Sequence, residues 1–87
     1  MNESNSIKKL IMDLASQIAL DEHLDDVHFH IKPPEYSYTD CISVTFYKEK
    51  QAISNIFPIH EFLNEKTDLC QHAISSYLRE MVYKLRG

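Results

Sequence analysis

The chain contains a single glycine, Gly87, and it is the last of the 87 residues. No internal turn can therefore use the residue that enters positive φ without steric cost. Connections have to be made by Asn, Asp, Pro or plain type I turns, whose central residues keep negative φ. The same absence excludes a class of function. Phosphate loops of the P-loop and dinucleotide-binding kinds bring backbone N–H groups close to the anion, and glycine permits that approach. No such loop can be built here.

Hydrophobic periodicity supplies the elements. Ile7, Leu10, Ile11, Leu14, Ala15 and Ile18 form one stripe at the 3.6-residue period, predicting an amphipathic helix over Ile7 to Leu20. Asn5 or Ser6 is positioned to cap it, while Lys8 and Lys9 in the expected first turn oppose the macrodipole. The acidic stretch Asp21-Glu22-His23-Leu24-Asp25-Asp26 ends the helix and opens a loop. Val27 to Lys32 then alternates strictly, with Val27, Phe29 and Ile31 on one face, and Pro33-Pro34 stops the strand.

A longer second strand is expected from Tyr38 to Lys48. Ile42, Val44 and Phe46 point one way; Cys41, Ser43, Thr45 and Tyr47 point the other. Lys48-Glu49-Lys50-Gln51 reads as a polar hairpin turn before a third strand over Ala52 to Phe57, whose alternation is poorer. Pro58 ends that strand and opens a short helix over Ile59 to Asn64. A long final helix from Thr67 or Asp68 to Leu85 carries the stripe Leu69, Ala73, Ile74, Tyr77, Leu78, Met81, Val82 and Leu85, with Lys84 and Arg86 suiting its C-terminus.

The expected fold is α+β: an N-terminal helix, a three-stranded antiparallel meander, a short helix and a long C-terminal helix. The order is α-β-β-β-α-α, with the helices on one sheet face and the other face wet. Apolar residues make up 44% and charged residues 25%, so residues 1–87 suit one globular domain with one core. A domain this small buries roughly 60–65% of its unfolded surface. Two cysteines, no apolar leader and no apolar run long enough for a membrane span make a soluble cytoplasmic protein with reduced thiols the simplest expectation.

Five histidines raise the question of a metal. His28 and His30 share the polar face of the first strand with Cβ atoms about 7 Å apart, and a His-x-His pair can supply two zinc ligands. His60, His72 or a carboxylate would have to complete the set, and none stands at a recognisable ligand spacing. Solvated polar residues are the expectation, and no cofactor is implied. Cys41 and Cys70 form no C-x-x-C, and Cys70 and His72 diverge by about 160° around a helix, so they cannot act as a pair. Both read as small buried hydrophobes.

Two features suit recognition rather than catalysis. Tyr36, Tyr38 and Tyr47 lie in or beside the second strand; with Thr45, Ser43, His28 and His30 they make an aromatic and polar sheet face of the kind used at protein interfaces. Asp21, Glu22, Asp25 and Asp26 make an acidic loop that could meet a basic surface. Net charge is −4, with −5 in residues 1–40 and +1 in residues 41–87. Such a balance holds the chain away from nucleic acid, and no direct binding to it is expected.

The helix–three strands–helix order resembles that of double-stranded-RNA-binding domains. Those domains start their final helix with lysines, whereas Asn64-Glu65-Lys66-Thr67-Asp68-Leu69 is net negative, so their activity is not carried over. In size and charge the chain is also similar to small phage-encoded inhibitors, anti-CRISPR proteins among them, which implies acidic mimicry that blocks a nucleic-acid-binding protein. The sequence thus favours a non-catalytic protein-binding module or small regulatory protein, working as a homodimer or with a different protein. Inhibition by acidic mimicry ranks second and a metal-dependent or thiol enzyme last. No membrane partner is expected.

Overall fold

The computed structural model describes residues 3–32, 40–63 and 67–86. Helix α1 spans Glu3–Asp21, strand β1 Asp26–Lys32, β2 Cys41–Lys48 and β3 Gln51–Pro58; a 3₁₀ turn follows at Ile59–Phe62, and helix α2 spans Thr67–Arg86. The strands form an antiparallel meander in the order β1-β2-β3. This is the α+β arrangement expected from the periodicities, with its helices on one face of the sheet.

The core shows why. Register pairs Val27 with Phe46, Phe29 with Val44, Ile42 with Phe57 and Phe46 with Ile53, so one sheet face collects these side chains. Ile11, Ala15 and Ile18 of α1 bury against that face together with Ile74, Leu78, Met81, Val82 and Leu85 of α2, while Ile59 and Phe62 close one end. Each large aliphatic or aromatic side chain so buried contributes about 1.5–3 kcal/mol of transfer free energy.

Helix α1 begins earlier than its apolar stripe implies. Asn5 and Ser6 lie inside the helix and do not cap it, and Lys8 and Lys9 fall in the second turn, where the opposition to the macrodipole has faded. Lys8 is nearly buried and pairs with Asp40 at 2.8 Å, which fastens α1 to the start of β2. Lys9 makes an i,i+4 pair with Asp13.

The glycine shortage is met by a route the composition does not suggest. His23 and Glu49 both take positive φ, 56° and 57°. At the end of α1 the Leu24 N–H donates to the Ala19 carbonyl (2.9 Å) and the His23 N–H to that of Leu20 (3.2 Å). This is the bonding of a Schellman motif, with His23 in the left-handed position that glycine usually fills. Glu49 does the same service in the two-residue hairpin between Lys48 and Gln51. The expectation that only Asn, Asp, Pro or type I turns would connect the elements is corrected on both counts.

Helix α2 turns a slightly different face inward than predicted. Cys70, Ile74 and Leu78 are buried, whereas Leu69 is 57% exposed and Tyr77 48% exposed. The Cys70 thiol donates to the Phe62 carbonyl at 3.2 Å, which draws this side of the helix down onto the 3₁₀ turn. Cys41 is also buried, and neither cysteine is in a disulfide. The predicted short helix after Pro58 is the 3₁₀ turn, and Asn64 lies outside the described residues. No helix among the described residues is long and apolar enough to cross a membrane.

Candidate interaction surface

Alternation along three paired strands builds the second sheet face from short rows. Asp26, Tyr47 and Ala52 form one row, His28, Thr45 and Ser54 the next, and His30, Ser43 and Ile56 a third. None of these side chains is buried: His28, His30, Ser54 and Ile56 are exposed, and Thr45, Ser43 and Tyr47 are partly so. The helices and the main apolar cluster lie on the opposite side, while at the Ser43 end of this face Cys41 shares the outward parity and is nevertheless buried, so the exposed surface stops at the row of His30, Ser43 and Ile56. Four predicted residues, His28, His30, Thr45 and Tyr47, are thus brought onto one surface. Tyr36 and Tyr38 lie outside the described residues.

One end of this surface is organised. The His28 imidazole tilts against the Tyr47 ring, centroids 4.9 Å apart and planes at 60°. Its Nε2 meets Oδ2 of Asp26 at 2.8 Å, while Oδ1 of Asp26 accepts the Val27 N–H at 2.8 Å. These contacts hold the Asp26 carboxyl below its ordinary value of 3.8, the Val27 amide first and His28 second. In the middle, the Thr45 and Ser54 hydroxyls share a 2.6 Å hydrogen bond across the β2–β3 pair. The face offers the Tyr47 ring, two imidazoles and the hydroxyls of Ser43, Thr45 and Ser54, groups that both donate and accept.

The acidic residues do not share one loop. Asp21 is the last residue of α1 and accepts from Gln17 Nε2 at 2.9 Å. Glu22 pairs with Arg86 at 3.2 Å and more loosely with Arg79 at 4.0 Å, and the Arg86 guanidinium also donates to the Glu22 carbonyl at 2.6 Å. Asp25 accepts the backbone N–H of Glu49 in the β2–β3 hairpin. Asp26 opens β1 and belongs to the sheet face. Three of the four carboxylates are therefore joined to a helix or hairpin of the same chain, and the fourth is joined to the His28–Tyr47 cluster.

Sequence reasoning missed the contribution of β3: Ala52, Ser54 and Ile56 complete the exposed rows. The signal was present, because Ile53 and Phe57 facing inward send residues 52, 54 and 56 outward. Asn55 concealed it by occupying an inward position at the sheet edge, where it stays exposed. Among the described residues no group of three or more His, Cys, Asp or Glu side chains is placed to hold a metal ion. No protein-family model, curated protein or solved structure matches the chain.

Proposed function

We propose that this chain is a non-catalytic protein-binding module, and that its recognition surface is the sheet face carrying Asp26, His28, His30, Ser43, Thr45 and Tyr47. One observation supports this above the rest: the aromatic and polar face stands opposite the main apolar cluster, and its His28–Tyr47–Asp26 cluster is held in place without being covered. Preorganised aromatic groups lose little conformational entropy on binding, which is why they concentrate at interface hot spots. The partner is a protein whose contact region buries an apolar group against the Tyr47 and His28 rings and bonds the surrounding hydroxyls. The proposed setting is cytoplasmic, where Cys41 and Cys70 remain reduced.

Acidic mimicry ranks below this reading because Glu22 and Asp25 already serve Arg86 and the Glu49 amide. The two readings differ in their response to salt. After the partner is captured from the native host with the whole chain, its affinity is measured across a range of ionic strength. Burial of rings and hydroxyls predicts a shallow dependence, whereas docking of carboxylates on a basic groove predicts a steep fall. A steep fall would overturn the sheet-face proposal.

A further inference from the structure

The two edges of the sheet are built differently. β1 opens on the charged Asp26, with His28 and His30 after it, and a charged side chain on an edge strand discourages pairing with another chain. β3 is Gln-Ala-Ile-Ser-Asn-Ile-Phe-Pro, eight residues without a charge, in a chain of which a quarter is charged. Among the described residues, β3 has a strand neighbour on one side only.

The hydrogen bonds say which groups that edge presents. The Ile59 N–H donates to the Asp40 carbonyl at 2.9 Å, continuing the ladder by one step, so the odd-numbered positions of β3 bond to β2. Ala52, Ser54 and Ile56 then direct their N–H and C=O groups outward. Ile56 confirms the parity, because its N–H turns to the Asn55 side-chain oxygen at 3.1 Å. That local bond satisfies one outward donor with a neutral amide that can swing aside.

From this geometry we infer that β3 pairs antiparallel with β3 of a second copy of the chain, about a two-fold axis at Ser54, to make one continuous six-stranded sheet. The strand is self-complementary about that residue. Ser54 faces Ser54 of the copy, and on the open face each large, 49% exposed Ile56 falls beside the small Ala52 of the other chain. All three outward positions meet outward positions, the condition for closing about six new ladder bonds. On the helix side, a depression of about 150 Å³ lies between β3 and α2 and includes Tyr77, Glu80 and Lys84. Lys84 Nζ pairs with Glu80 Oε1 at 3.6 Å within the helix, so the flank of each copy sets no unpaired charge of one sign against its mate. An unrelated extended segment could use the ladder but would lack the match of Ile56 to Ala52 about Ser54. Pairing through β3 alone closes the assembly at two chains, because the remaining edges are the charged β1 strands. It also sets two proposed recognition faces side by side, although it does not depend on that reading.

Sedimentation equilibrium of the whole chain tests the inference, with Ile56→Lys and Ser54→Pro as variants. Ile56→Lys changes an exposed side chain; Ser54→Pro removes an N–H that β2 does not use and costs only the exposed hydroxyl bond to Thr45, so both should keep the wild-type circular dichroism spectrum. The expected result is a wild-type dimer and a dissociation constant raised about tenfold to a hundredfold by either change, in line with a charge set on the pairing edge or the loss of both central Ser54 bonds. Wild-type protein that stays at the monomer mass of 10.2 kDa up to millimolar concentration overturns the inference. So does a dimer that both folded variants retain, which places the contact elsewhere, and so does assembly beyond two chains.

Discussion

The carboxylate of Asp25 accepts the backbone N–H of Glu49, joining the link that follows α1 to the hairpin between β2 and β3. Beside it, Lys48 Nζ donates to the His23 carbonyl at 2.9 Å and the Asp25 N–H to the Tyr47 carbonyl at 2.9 Å. His23 and Glu49, the two described residues other than glycine with positive φ, are thus stitched to one another's surroundings. Each is held in an unfavourable conformation by bonds from the other's neighbours. Tyr47 comes from the same corner, so these bonds also fix one end of the exposed face.

Left-handed backbone costs a residue with a Cβ about 1–2 kcal/mol, and glycine relieves it at the expense of a more flexible unfolded chain. Glu49→Gly should therefore raise stability by about 0.5–1 kcal/mol. In a domain of this size that raises the thermal midpoint by roughly 2–8 °C. Calorimetry of the variant checks it; a lowered midpoint would show that the Glu49 side chain contributes something its exposure does not suggest.

The inward face of α2 can be read from two truncations. Ile74 is fully buried, and Ile74→Ala should cost about 2–5 kcal/mol. Leu69 is 57% exposed, and Leu69→Ala should change stability by less than about 0.5 kcal/mol. Urea denaturation of both separates the observed face from the one the full periodic stripe suggests. Equal losses would restore Leu69 to the core.

Much of this architecture was legible and some was not, for identifiable reasons. Val27, Phe29 and Ile31 alternate cleanly because β1 has one wet and one apolar side, and Ile42, Val44 and Phe46 repeat the pattern. In α2, Leu69-Ala73-Tyr77 and Cys70-Ile74-Leu78 are adjacent rows, and hydrophobicity alone does not choose between them. The contact of Cys70 with the 3₁₀ turn does, and that turn is made by tertiary packing. Positive φ at His23 and Glu49 left no trace, since the usual marker is glycine or asparagine. The pairing of Glu22 with Arg86 joins residues 64 apart, so the acidic stretch read as solvated although its carboxylates serve the fold. Tyr47 and His28 were readable as neighbours because strand parity alone puts them on one face.

Asp26 provides a pH signature of the exposed face. Its folded value lies below the ordinary 3.8, through the Val27 amide and then His28. A depressed value means that the ionised carboxylate favours the folded state. That contribution is complete above the unfolded value and disappears as pH falls through the folded one. The midpoint advantage of the wild type over Asp26→Asn should therefore be full at neutral pH, begin to fade below 3.8 and be gone once the pH has passed through the still lower folded value. An advantage that persisted in acid would have to come from something other than the charge.

Removing the two rings together, His28→Ala with Tyr47→Ala, is the sharpest test of this sheet face as a recognition surface. Both side chains lie outside the core, His28 being 61% exposed. The expected result is a thermal midpoint close to wild type and a binding constant for the captured partner protein weakened about tenfold to a hundredfold, as for loss of one or two interface anchors. A large fall in the midpoint, or full affinity for that partner, would contradict it.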